Sequence, residues 1–301
     1  MTNPKLKRLR RTMMFLSAQR PALIKDAYIY RPDTLMLDLE DAVAENQKDA
    51  ARFSLYHALK TVDYRGCERM VRINALDTEH WREDIRASVA GGADAIRIPK
   101  CESAGDVLTV VSALEAAEAE FGRGIGETLI ACALESPKGI LNAYEICVAC
   151  PGRMIGVAIS GGDYRSAMQT SYVPGGIEML GGRAHMIIAA RAAGVQCFDT
   201  VFTDLEDMEG FRAEVIQNRQ MGFDGKSIIS PKQIAVVHEI FTPGEREIRR
   251  AEKIVRAVRE QAARGVGVFT VDGKMIDIAF VPGAERVIAL AKASGVYKGD
   301  L

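Results

Sequence analysis

The sequence predicts an α/β protein, a (β/α)8 TIM barrel followed by a C-terminal extension of helix and hairpin. Three observations predict it. Short apolar runs recur at 12–18, 34–40, 69–75, 95–100, 129–136, 154–163, 196–202 and 226–230. Segments of helical spacing separate most of them, as in "DAARFSLYHALKTV" and "AGDVLTVVSALEAAEAEFG", whose apolar residues fall at i, i+3 and i+4. Nearly every run begins apolar and ends polar: at Asp38, Glu40 and Asp41, Arg72 and Asn74, Lys100, Glu135 and Ser136, Asp163, Asp199 and Ser230. Strand alternating with helix means parallel βαβ units, and eight such strands close a barrel whose C-terminal ends converge on one face. A doubly wound open sheet is the competing fold. It needs a glycine loop after the first strand, but "SAQRPALI" follows there, and the "GRGIG" at 122–126 precedes a strand and reads as a turn.

The order of elements sets the domain limits. The barrel is predicted over 1–235 and the extension over 236–301. The extension opens with the charged helix "PGEREIRRAEKIVRAVREQAARG", ending at Gly265. The hairpin "VGVFTVDGKMIDIAFV" follows, turning at Asp272-Gly273, and a last helix begins after Pro282. Too small to be a secure independent domain, this tail is expected to pack over a barrel mouth, its own or a neighbour's.

Composition narrows the function. With 301 residues, 48% apolar and 26% charged, the chain can bury a large core. Its net charge of −1 offers no basic field for nucleic acid or an anionic membrane. The basic run "KLKRLRR" (5–11) reads as a solvated arm, and "MMFLSA" after it is too short for a signal-peptide core or a membrane span. A cytoplasmic protein with neither nucleic-acid nor membrane partners is expected. Cys147 and Cys150 form a C-x-x-C without a second pair or nearby histidines, so buried reduced thiols are expected rather than zinc or redox chemistry.

The polar strand ends suggest chemistry. Glu135 and Asp163 close strands five and six, and two oxygen ligands with open positions suit Mg2+, which keeps waters and accepts substrate oxygens. The four histidines lack metal-site spacing, which disfavours zinc. The plain alternative is that each acid caps a helix or pairs with a base. Arg72 interrupts the apolar "MVRINA" and is expected to grip a substrate carboxylate; an ion pair with Asp38, Glu40 or Asp41 is the structural alternative. Lys100 and Lys226 raise a Schiff-base aldolase, but Lys226 in "FDGKS" reads as a turn residue, and both suit loop or anion anchoring better.

The motifs "LMLDLEDAVAENQKDAAR", "MVRINALDT", "GGADAIRIPK", "ALESPKGILNA", "FDTVFTD", "GFDGKSIISPKQI" and "DGKMID" run in this order along almost the whole chain. Together they resemble the HpcH/HpaI aldolase and citryl-, malyl- and citramalyl-CoA lyase family, and within it the citrate lyase β type. The resemblance implies a Mg2+-dependent barrel that cleaves a carbon–carbon bond of a 3-hydroxyacyl thioester. Citryl-CoA or citryl-acyl carrier protein would give oxaloacetate and an acetyl thioester, with malyl or citramalyl substrates as alternatives. It implies Glu135 and Asp163 as metal ligands, Glu135 also facing substrate, and Arg72 as the substrate grip. Asp38, Glu40 and Asp41 would line the metal site with catalytic roles, and Asp277 would reach a neighbouring subunit's site, as in some relatives. Arg20 and Lys25 would meet phosphates of the thioester carrier or form a solvated helix face. A homo-oligomer, trimer or hexamer, is implied, and further citrate lyase subunits are allowed as partners. Two departures stand out: Ser17-Ala18 where the family carries Pro-Gly, and Gly161-Gly162-Asp163-Tyr164 where Ala-Glu-Asp-Tyr is usual.

Overall fold

The computed structural model describes residues 3–263 and 268–301. The predicted helix end at Gly265 and the first two hairpin residues, Val266 and Gly267, lie outside the described residues. The chain forms two compact units, Met1–His238 and Glu239–Leu301.

In the first unit eight parallel strands close a barrel in sequence order, β1 pairing with both β2 and β8. They are β1 Thr12–Ser17, β2 Thr34–Asp38, β3 Glu68–Arg72, β4 Ala95–Ile98, β5 Leu129–Leu134, β6 Met154–Ile159, β7 Gln196–Asp199 and β8 Gly225–Ile228. The helices are α1 Pro21–Asp26, α2 Lys48–Thr61, α3 Trp81–Gly91, α4 Ala104–Glu120, α5 Pro137–Leu141, α6 Ala143–Val148, α7 Gly161–Ala167, α8 Leu180–Ala193, α9 Met208–Met221, α10 Lys232–Phe241, α11 Glu245–Ala263 and α12 Val281–Ala293. Most predicted strands run past the observed C-terminal ends, because the polar residues there leave the ladder for the loops.

Side-chain alternation organises the barrel. Met13, Met36, Met70, Ala95, Ala131 and Phe198 belong to one buried cluster that fills its interior. Leu35, Leu37, Val71 and Ile96, the alternate residues, are equally buried. Both faces of each strand are therefore dry, which is why these runs are continuously apolar. Ser103 and Asp106 form a reciprocal capping box that starts α4. Gly156 stands where β6 crowds β7: a Cβ there would lie 1.9 Å from the Gln196 carbonyl oxygen.

Phe198 facing the interior sends its neighbour Asp199 outward, towards the helices. Asp199 is fully buried, accepting from Arg183 Nε at 2.8 Å, Asn218 Nδ2 at 2.6 Å and Lys226 Nζ at 2.8 Å. This corrects two expectations. Asp199 is not at the barrel mouth, and Lys226 lies within β8 rather than in a turn, with Glu214 as a second partner at 2.6 Å. Cys147 and Cys150 are buried, and burial pushes their thiols up to about 12 and about 11.

The second unit packs α11 and α12 with a two-stranded hairpin, β9 Phe269–Val271 and β10 Lys274–Ile276, around Ala251, Val255, Ile276 and Ile288. Asp272 and Gly273 turn the hairpin with φ of 47° and 76°, the left-handed backbone that a two-residue connection favours. Among the described residues no helix is long and apolar enough to cross a membrane.

Candidate active site

Continuing the alternation by two residues takes each interior column to the C-terminal end of the barrel. Met13 leads to Phe15, Met36 to Asp38, Met70 to Arg72, and Ala95 to Arg97. Arg72 stands in register with Asp38 on one side and Arg97 on the other. Four residues beyond Ala131, Glu135 follows the end of β5.

Arg72 is enclosed by the acids of "DLED". Its Nε and Nη2 donate to the two Asp38 oxygens at 2.7 and 2.6 Å, a forked pair, and Nη1 lies 2.8 Å from Glu40 and 3.6 Å from Asp41. Burial opposes the charge, but the bonds and charges of these carboxylates prevail and raise the arginine's pKa. Asp38 also shapes the loop, accepting from the backbone N–H of Glu40 at 3.0 Å and of Ala42 at 3.3 Å. Lys48 of α2 clamps the same loop through the carbonyls of Leu39 and Glu40, at 2.8 and 2.7 Å. Ser17 donates its hydroxyl to the Ala42 carbonyl at 2.6 Å and so ties β1 to this loop.

Lys100 reaches in from the end of β4, its Nζ 3.2 Å from Glu40 and 3.9 Å from Asp41. Its φ of 47° is a left-handed conformation that a lysine adopts at a cost. Glu40 is 4% exposed. Burial raises its pKa, Arg72 and Lys100 oppose that, and the charge of Asp41 adds to it.

Beside this network opens a cavity of about 750 Å³, lined by Lys100, Glu135, Lys138 and Asp163 together with Glu102 and Asp106. Glu135 is 3% exposed, and neither of its oxygens has a hydrogen-bond partner among the described residues. Burial first, then the charge of Glu40, then the Asp163 carboxyl, through a shared proton as well as its charge, push its pKa up to about 8. A buried carboxylate left this way lacks a cation. Asp163, exposed in the first turn of α7, lines the same cavity. No group of three or more histidine, cysteine or acidic side chains forms a full metal cage among the described residues. A pair of carboxylates with open positions suits an ion that keeps its waters, such as Mg2+, better than zinc. A Cβ at Gly162 would meet nothing within 4 Å, so a side chain at that position would have open space.

The structure thus brings Asp38, Glu40, Asp41, Arg72, Lys100, Glu135 and Asp163 to one barrel end. Arg20 and Lys25 are not among the cavity's lining residues; both are exposed, and Lys25 lies 3.6 Å from Asp26. Asp277 belongs to the second unit, where it caps a short 3-10 helix by accepting from the Ala279 N–H at 2.9 Å. Asn74 pairs with Asp84 of α3 and is structural. Sequence reasoning passed over Arg97. The signal was available: a charge inside the apolar "AIRI", as conspicuous as the one that singles out Arg72.

Fold and site define the class: a barrel enzyme with an acid-rich mouth, and residues 176–296 match the C–C bond lyases of the TIM-barrel fold. Residues 11–231 match the HpcH/HpaI aldolase/citrate lyase family, and the chain belongs to it. It is 47% identical to the citrate lyase subunit beta of Leuconostoc mesenteroides subsp. cremoris over 97% of both chains. It is 34% identical to a (3S)-malyl-CoA thioesterase of Cereibacter sphaeroides, over 96% of this chain and 97% of that one. Among solved structures, CitE from Mycobacterium tuberculosis in complex with magnesium, acetoacetate and coenzyme A superposes with a TM-score of 0.76 at 27% identity. That match covers 96% of this chain and 99% of the other.

Proposed function

We propose that this protein is a Mg2+-dependent lyase that cleaves a citryl thioester, on CoA or an acyl carrier protein, into oxaloacetate and an acetyl thioester. The observation that carries the reading is Glu135, a buried carboxylate with no partner, facing a cavity that Asp163 also lines. These two acids would hold the metal, which supplies positive charge where the substrate hydroxyl and its neighbouring carboxylate gather negative charge.

The chain's own residues do the rest. Arg72, its plane fixed by Asp38, turns positive charge towards a substrate carboxylate. Glu40, poised by burial against Lys100 and Arg72, accepts the hydroxyl proton. As that proton leaves, the carbon–carbon bond breaks and its electron pair passes to the acetyl thioester as an enolate. A proton returned to the enolate carbon completes the acetyl group, and Asp277 of a neighbouring copy is the donor in this reading. Asp41 keeps waters in order at the mouth, and Arg20 and Lys25 meet phosphates of the carrier. The chain then works in the cytoplasm as a homo-oligomer whose C-terminal unit serves an adjacent barrel mouth. Mixing inactive Asp277→Ala with inactive Glu135→Ala protein under subunit exchange should restore part of the activity. Restoration of none, with exchange confirmed, would place Asp277 outside a shared site.

The deciding experiment is a thioester panel. Oxaloacetate should appear from citryl thioester, vanish with EDTA and return with Mg2+. The thioesterase relative gives a specific second reading, in which malyl-CoA yields free malate and thiol. Glyoxylate from malyl-CoA, pyruvate from citramalyl-CoA, or borohydride trapping of a lysine adduct would each replace the citryl assignment.

A further inference from the structure

Arg97 is a buried cation with almost nothing to hold it. The residue is 2% exposed on β4 and stands beside Arg72 of β3 in the ladder. Like charges directly across a sheet repel. Among the described residues its Nε has no acceptor, and its one hydrogen bond runs from Nη1 to the Ser227 hydroxyl at 3.5 Å, the long limit of such a bond. The Phe15 ring offers some compensation, 5.4 Å from the Arg97 guanidinium carbon and 5.1 Å from that of Arg72. Burial and the Arg72 charge push the pKa of Arg97 down to about 10.

Such a group is unfavourable in a core, and the barrel holds an obvious replacement. Met13, Met36 and Met70 already fill the interior beneath the neighbouring columns, and methionine at 97 would occupy the same column without a charge. The two arginines also differ. Arg72 has spent its donors on Asp38 and Glu40, whereas Arg97 still has donors to give. Of the acids whose charge acts on Arg97, Glu135 has the largest effect, followed by Asp38 and Glu40. Glu135 lines the cavity; Arg97 is not one of its lining residues, and its place at this barrel end comes from its register with Arg72.

We propose that Arg97 is an anion receptor at the floor of the active site, completed by a carboxylate of the bound acyl group. The inference rests on the polycarboxylate thioester reading above, since a neutral acyl group would leave the guanidinium unpaired. It also assigns Arg97 a part in specificity: substrates with more carboxylates gain more from it.

The test titrates citrate calorimetrically into the full-length wild type and Arg97→Met, with Mg2+ in fixed excess, and records thermal midpoints in parallel. Arg97→Met should be at least as thermostable as wild type, because an unpaired buried charge is gone. It should bind citrate roughly 10- to 150-fold more weakly, the range of a lost charge-assisted hydrogen bond. Unchanged citrate affinity overturns the proposal, whatever the stability. Should Arg97→Met fail to fold, Arg97→Lys decides: it keeps the charge and loses the forked donors. Several-fold weaker citrate binding at near-wild-type stability then supports the receptor, and unchanged binding rejects it. If wild type binds malate and not citrate, the citryl reading fails, and Arg97 is judged by the same comparison with malate.

Discussion

The two ends of the barrel both bury charge, and they treat it in opposite ways. At the N-terminal end, Arg10 donates to both oxygens of Glu68, at 2.7 and 2.6 Å, and to Gln196 at 2.6 Å, while Thr34 adds a hydroxyl to Glu68 at 2.9 Å. Glu118 accepts from Arg153 at 3.0 and 2.8 Å and from the N–H groups of Gly126 and Thr128 at 2.9 and 2.7 Å. At the C-terminal end Arg72 and Asp38 form a forked pair and Glu40 lies 2.8 Å from Arg72 and 3.2 Å from Lys100, but Glu135 has no basic or backbone donor and Arg97 has one long bond. Buried charge is therefore not itself the mark of a site. Charge without its complement is, because the ordinary penalty for such groups is retained only where a ligand relieves it.

The sharpest way to break this contrast is one substitution at each end. Glu135→Ala should abolish turnover while leaving the thermal midpoint unchanged or higher, since no hydrogen bond from a basic or backbone donor is lost. Glu68→Ala should cost ~3–5 kcal/mol of stability by stranding Arg10, with turnover per folded molecule retained. Chemical denaturation and steady-state kinetics on both proteins measure the two effects. A Glu135→Ala variant as unstable as Glu68→Ala would mean that the C-terminal end is an ordinary structural network.

Much of this was legible in the residues. Eight apolar runs became eight strands because parallel strands buried on both faces need continuous hydrophobicity, and their polar ends became the mouth. Glu135, Asp163, Arg72 and the acids of "DLED" could be picked out because each interrupts or ends such a run. What stayed hidden depended on which face a side chain takes. Asp199 looked like Glu135 in one dimension, yet the position of Phe198 turns it towards the helices, where Lys226, read as a turn residue, pairs with it from within β8. Arg72 read as a substrate grip with an ion pair to Asp38, Glu40 or Asp41 as the alternative, and the register of β2 against β3 shows that Asp38 fills its fork. Asp277 is the hardest case, because a role in another copy's site leaves no trace in one chain's periodicity.

A smaller effect, opposite in sign at the two ends, is pH dependence. Glu135 has its folded pKa pushed up to about 8 from an ordinary 4.5, so the folded state holds the proton more tightly. Its contribution to stability is fully present below pH 4.5 and is lost as pH rises through about 8. Glu118 runs the other way: burial opposes its charge, but Arg153 and two backbone N–H groups lower its pKa. That contribution is present above pH 4.5 and is lost as pH falls through the lowered value. In EDTA the thermal midpoint should therefore decline from pH 5 towards 8, and Glu135→Gln should flatten that slope. Glu118→Gln should instead flatten the loss on the acid side. Identical slopes in wild type and Glu135→Gln would show that Glu135 is not the strained group at this end. Saturating Mg2+ should reverse the alkaline decline, because the proposed ion takes the place of the proton.

The mildest expected change comes from Asp41, which sits at the rim of the unsatisfied end and tests how local its electrostatics are. Its side chain is 57% exposed, 3.6 Å from Arg72 and 3.9 Å from Lys100. Exposed pairs of this kind contribute ~0–1 kcal/mol, so Asp41→Asn should leave stability within that range. Its charge nevertheless adds to the raised pKa of Glu40, after burial. Removing it makes Glu40 easier to ionise. If Glu40 is the base, the acid limb of kcat/KM should move to lower pH, with the plateau nearly unchanged. A plateau that falls more than about tenfold would instead give Asp41 a direct part in the transition state, as loss of a positioned catalytic group does. No movement of the acid limb, with the plateau intact, would remove Glu40 as the base and leave Asp41 as solvated rim charge.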